Sequence, residues 1–141
     1  MRFLLDTNVV SELRKPTARR DARFNAWAAT LSPSDTSLSV ITVLELRAGI
    51  ESKRRHDPQQ AAVLDGWLEQ SVLPAYAGRI LDVDQRVADA AARMHVPDRR
   101  PAHDALLAAT AQVHGLTMAT RNEADFAPLG VTLVNPWTAR S

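Results

Sequence analysis

The sequence predicts an α/β protein, built on a mostly parallel sheet of four to five strands with helices covering both faces. Three observations lead there. Short apolar runs recur along the chain, stretches with helical spacing separate them, and Pro, Gly, Ser and Asp punctuate the junctions. Strands that alternate with helices require crossover connections, which set the strands parallel and bury them between helical layers.

The first strand is Arg2 to Leu5, carried by Phe3-Leu4-Leu5. It runs into Asp6, Thr7 and Asn8, three polar residues where a buried strand leaves the core, and Asp6 stands where it would cap a short following helix. Residues 21–31 place Phe24, Trp27, Ala28 and Leu31 on one helical face, and "LSPSD" then breaks the chain. "TSLSV", 36–40, alternates as a strand, and "TVLELRAGIESKRR" reads as a helix from Thr42. The segment "DPQQAAVLDGWLEQSVLPAYAG" continues as a helix through Val63, Leu64, Trp67 and Leu68, disturbed near Pro74. "GRILDVD", 78–84, is a third strand, "QRVADAAARMH" a helix and "VPDRRP" a turn. In "PAHDALLAATAQVHG", Pro101 takes the first helical position and Gly115 lies past the end. "LTMAT", 116–120, is the fourth strand and "VTLV", 131–134, a candidate fifth.

With 141 residues and no repeat or low-complexity tract, residues 1–141 are expected to form one domain. The chain contains no cysteine, which excludes disulfides, thiolate zinc sites and a cysteine nucleophile. No signal peptide is visible and no apolar stretch approaches the ~20 residues of a membrane helix, so the expected location is the cytoplasm, away from membranes. The formal net charge of +1 demands no nucleic-acid partner. All but Lys15 and Lys53 of the 17 basic residues are nevertheless Arg, which suits phosphate, and several cluster at Arg19-Arg20, Lys53-Arg54-Arg55 and Arg99-Arg100.

Four acids attract attention, although each has a local explanation. Asp6 can cap a helix, Glu45 follows Thr42 as in a T-x-x-E capping box, Asp104 falls in a first helical turn, and Asp125 follows Asn122 as N-x-x-D. Asp6, Glu45 and Asp125, however, all follow strand ends, and Asp104 opens the helix that feeds the fourth strand. A parallel sheet brings such positions to one rim, where functional crevices lie. Unpaired carboxylates about 4 Å apart repel by ~4 kcal/mol at an effective dielectric near 20, so they retain protons or share a cation. All-oxygen ligands favour Mg²⁺ or Mn²⁺ over zinc, and such ions support phosphodiester hydrolysis. Thr7, Asn8, Thr120 and Asn122 are placed to orient the carboxylates or to serve as turn and cap residues. The four histidines, His56, His95, His103 and His114, are scattered without a metal-binding spacing and are expected at surface or helix-end positions.

The ordered set "LLDTNVVSEL", "LSVITVLELRAGI", "GRILDVD", "PAHDALLAATAQVHGLTMATRNEADF" and "GVTLVNPW" resembles the PIN-domain ribonucleases, specifically the VapC-like toxins and the branch that includes FitB-type proteins. The resemblance runs from Phe3 to Trp137. It implies a PIN-like three-layer α/β/α sandwich and a Mg²⁺-dependent endoribonuclease, Mn²⁺ being an alternative, that hydrolyses RNA by a metal-activated water as the toxin of a toxin–antitoxin pair. The family's four acids match Asp6, Glu45, Asp104 and Asp125, and its accompanying polar residues match Thr7, Asn8, Thr120 and Asn122. An RNA substrate, a cognate antitoxin and a homodimer or higher assembly are implied with it. The competing expectation is a catalytically silent PIN-like module that binds RNA or protein. An aspartate-nucleophile phosphatase fits less well, because Asn8 stands where its second acid belongs and no lysine follows Lys53.

Overall fold

The computed structural model describes residues 2–139. Five strands, β1 (Phe3–Leu5), β2 (Thr36–Ser39), β3 (Ile80–Leu81), β4 (Thr117–Ala119) and β5 (Leu133–Val134), form one sheet in the order β3-β2-β1-β4-β5. Every pairing is parallel, with Phe3 opposite both Thr36 and Thr117. β1 therefore lies centrally, and the chain leaves it toward β2 on one side and returns to β4 on the other. The crevice between β1 and β4 is the topological switch point of the sheet, where open α/β sheets hold ligands.

Side-chain alternation along β1 divides the interior. Phe3 and Leu5 face one layer with Val9 and Val10 of α1 (Thr7–Arg14), Phe24 of α2 (Ala22–Ala28), Leu46 and Ile50 of α3 (Val40–Arg54), and Ala61 of α4 (Pro58–Trp67). Leu4 and Met118 face the opposite layer. There they meet Leu107, Ala108 and Ala111 of α7 (Ala102–His114) and Phe126 of α8 (Glu123–Phe126). Helix α6 (Gln85–Met94) packs on α7 through small residues, Ala90 and Ala91 against Ala105 and Ala109. The result is the expected α/β/α sandwich. Among the described residues no helix is long and apolar enough to cross a membrane.

Two local expectations are corrected, and a third is met. Ser39 ends β2 and caps α3 by accepting a hydrogen bond from the Ile41 amide at 3.0 Å, so the helix begins at Val40 rather than Thr42. The anticipated T-x-x-E box is therefore not formed. Thr42 lies buried within the helix, and the Glu45 carboxylate is free of capping duty. The third strand shrinks from 78–84 to two residues because Asp84 instead accepts the Val87 amide and starts α6. The long fourth helix is disturbed near Pro74 as expected, by a π turn, Leu68–Val72, closed by the Leu73 amide on the Leu68 carbonyl, before the short α5 (Leu73–Ala75). Pro74 has no amide hydrogen to donate to the preceding turn, which accounts for the break.

Candidate active site

Asp6 is the first residue beyond β1 and the N-cap of α1, a position that turns its carboxylate back over the sheet edge. Its backbone amide stays in the sheet, donating to the Ala119 carbonyl at 2.9 Å. One carboxylate oxygen, Oδ1, accepts the Thr7 amide at 2.8 Å. The other, Oδ2, accepts the Thr120 hydroxyl at 2.7 Å and the Asn8 amide nitrogen at 3.2 Å. The Thr120 bond crosses the switch point between β1 and β4, joining residues that are 114 positions apart in the chain. Only 5% of Asp6 is exposed. Buried carboxylates resist ionisation, and burial followed by the nearby charge of Glu45 raises the Asp6 pKa, against the lowering effect of its hydrogen-bond donors.

Thr7 extends the network. Its hydroxyl donates to Glu45 Oε1 at 2.8 Å and so ties α3 to α1 at the rim. Asn8 works in both directions, because its Oδ1 accepts the Arg121 amide at 3.2 Å while its nitrogen reaches Asp6. Thr120 in turn accepts the Asn122 amide at 3.0 Å. The Asn122 side chain makes no cap bond; its contribution to this network is through the backbone, and its carbonyl accepts the Asp125 amide at 3.1 Å. Thr7, Asn8 and Thr120 hold acids directly.

Asp104 occupies the first turn of α7, and Asp125 sits exposed on α8. The Asp104 pKa is raised, first by partial burial and then by the negative charges of Asp125, Asp6 and Glu45 in that order. The charges of the other three acids therefore all reach Asp104. Among the described residues no three carboxylate or histidine side chains converge at the spacing of a single bound ion. Among the described residues neither Asp104 nor Asp125 has a hydrogen bond to its carboxylate, in contrast to Asp6 and Glu45. The donor set, four carboxylates beside threonine hydroxyls and no thiol, has the hardness that suits Mg²⁺ or Mn²⁺.

The sequence reading missed one group. His103 is exposed, as anticipated, yet its Nδ1 lies 3.6 Å from Glu45 Oε2. Its adjacency to Asp104 was the available signal, but which acid from another helix it would face depends on the packing of α3 beside α7.

A raised carboxyl pKa means that the folded chain holds the Asp104 proton more tightly than the unfolded chain does. Stability then falls as pH rises above about 4, and the penalty is complete once the folded-state group has ionised. In chelator, thermal melting between pH 4 and pH 8 should therefore show the wild type losing stability more steeply than Asp104→Asn. Parallel curves for the two proteins would contradict this electrostatic account.

Comparison with known proteins identifies the family. A family model described as PIN domain matches residues 3–130. The chain is 41% identical over 144 residues to the protein "Toxin FitB" of Neisseria gonorrhoeae, covering 96% of this chain and 98% of that protein. It is 38% identical to "VapC ribonuclease Y4jK" of Sinorhizobium fredii, covering 96% and 97%. The crystal structure of FitAcB from Neisseria gonorrhoeae superposes with a TM-score of 0.85 at 40% identity, over 97% of this chain and 99% of that one.

Proposed function

This chain belongs to the PIN-domain family, and from that premise we propose that it is a divalent-metal-dependent endoribonuclease acting as the toxin of a toxin–antitoxin pair. The observation that carries the reading is the four-acid rim at the switch point, with Asp6 clamped by Thr7, Asn8 and Thr120 and electrostatically coupled to Glu45 and Asp104. Similarity to a named toxin and a named ribonuclease across nearly the whole chain supports it.

Asp6, Glu45, Asp104 and Asp125 would hold the ion, directly or through water. Mg²⁺ or Mn²⁺ bound there would supply Lewis-acid polarisation of the phosphate and lower the pKa of water. The chain's own residues do the positioning. Thr7, Asn8 and Thr120 keep Asp6 in one rotamer, so its charge need not reorganise during the reaction. Thr7 occupies Glu45 Oε1, and Oε2, 3.6 Å from His103 Nδ1, is the carboxylate atom left to receive a proton from the attacking water. Water oxygen bonds to phosphorus as its proton passes to Glu45, the bond to the 3′ oxygen breaks, and that oxygen takes up a proton from solvent water. The products are a 5′-phosphate and a 3′-hydroxyl. A cognate antitoxin and a homodimer complete the proposed assembly.

Purified protein incubated with single-stranded RNA should cut it in Mg²⁺ or Mn²⁺ and stop in excess EDTA, leaving 5′-phosphate ends. Cleavage that persists in EDTA would remove the metal from the proposal. RNA binding without cleavage in either ion would instead favour a silent binding module.

A further inference from the structure

A groove runs from the acid rim along the outside of the molecule between α1, α3 and α4, with a volume of about 400 Å³. Thr7 and Glu45, bonded to each other, form its inner end. Farther out it is lined by Arg14, Lys53 and Trp67, and Gly49 of α3 opens onto it. We propose that this groove is a nucleotide subsite, holding one unpaired residue of the RNA beside the scissile phosphate and contributing to the choice of cleavage site. The inference rests on the ribonuclease reading above.

Three features select this occupant. Neither Arg14 nor Lys53 forms an ion pair among the described residues, whereas Lys15, Arg47 and Arg54 do, so two cations face the groove with their charge uncommitted. A polynucleotide entering an acidic site needs such charge at the flanking phosphates, because the carboxylates themselves repel it. Trp67 is half-buried, and the Arg14 guanidinium lies over its ring at 6.0 Å from the centroid. The guanidinium thus caps the indole, and a flat base would stack on the planar Arg14–Trp67 pair. Because Thr7 and Glu45 line the groove, a base seated there lies on the same strand path as a phosphate at the acids. A base can lie against Arg14 and Trp67 only when it is unpaired, so the subsite takes single-stranded RNA.

Gly49 provides a clean test. A Cβ built there meets nothing within 4 Å, and leucine improves helix propensity over glycine, so Gly49→Leu places an apolar side chain at the groove on a helix that tolerates it. In the cleavage-deficient Asp104→Asn protein, anisotropy titration with a fluorescent single-stranded RNA octamer in chelator should show affinity falling about tenfold on Gly49→Leu, comparable to the loss of one stacked base. Lys53→Ala should weaken the same RNA and reduce the slope of log affinity against log salt by about one. In proteins with Asp104 intact, Gly49→Leu should raise KM for RNA more than it lowers kcat and should redistribute the cut positions. Unchanged octamer affinity and an unchanged cleavage pattern in Gly49→Leu would overturn the subsite. Retained RNA affinity combined with loss of a co-expressed antitoxin from the purified complex would also overturn it, assigning the groove to protein. Failure of the ribonuclease reading is a different result, namely an intact protein that binds the octamer through the groove and cuts no RNA in either ion.

Discussion

Asp6→Asn is expected to lower RNA cleavage by on the order of 10³-fold while leaving the fold intact. The carboxylate is nearly isosteric with the amide, and the remaining carbonyl oxygen can still accept the Thr7 amide that caps α1. The new nitrogen can donate to Thr120, whose hydroxyl is able to reverse its role, and only the Asn8 bond is lost, because two amide nitrogens cannot donate to each other. What disappears is the charge. In the wild type that charge is held against burial and against Glu45, as its raised pKa shows, so removing it relieves a strain on the folded state. The cost therefore falls on chemistry, because a neutral amide binds a divalent ion weakly and cannot stabilise the charge of the site. Cleavage measured at saturating Mg²⁺, together with circular dichroism and a melting curve, checks both halves. A variant with more than about a tenth of wild-type kcat would remove Asp6 from the proposed machinery. An unfolded variant would show instead that the carboxylate itself, beyond its shape, maintains the cap.

Phe24→Ala should produce the largest loss of stability among single truncations, about 3–5 kcal/mol. Phe24 is fully buried and lies between two indoles, with ring centroids 6.0 Å from Trp27 and 4.9 Å from Trp137. It thus joins α2 to the segment that follows β5. The same segment reaches the acid rim, since the Arg121 guanidinium lies 5.0 Å from the Trp137 ring centroid and the Arg121 amide holds Asn8. Truncation leaves a cavity that these rigid rings fill poorly, and the loss is a large fraction of an ordinary domain's total stability. Urea unfolding followed by tryptophan fluorescence measures the change, with Trp27 and Trp137 reporting on the site of the deletion. A loss under about 1 kcal/mol would mean that α2 is peripheral to the fold.

Much of this molecule was legible in its sequence, and the reasons are local. Phe3-Leu4-Leu5 announced a buried strand by its apolarity, and the D-T-N that follows announced a strand end with a cap, as the Asp6–Thr7 bond bears out. Helix α7 was marked by proline before it and by Gly115 after it, where φ is +66°, a conformation that glycine adopts without strain. The parallel sheet followed from alternation of elements. Where local signals conflicted, tertiary context prevailed. Ser39 competed with Thr42 for the cap of α3 and won because β2, paired on both edges, ends there; the edge strand β3, paired with β2 alone, kept only two residues.

By itself, then, the order of residue types determined the elements, the class of fold and the list of acids, because hydrophobic period, capping and chain stiffness act over a few neighbours. Only the folded chain decided which of those acids speak to one another, and that His103 reaches Glu45 while the Asn122 side chain caps nothing. It alone opened a groove between α1, α3 and α4 beside the rim. Those facts depend on strand order and on helix packing across more than a hundred residues of chain. Coulombic and hydrogen-bonding interactions are set by distance in space, which the linear order does not encode.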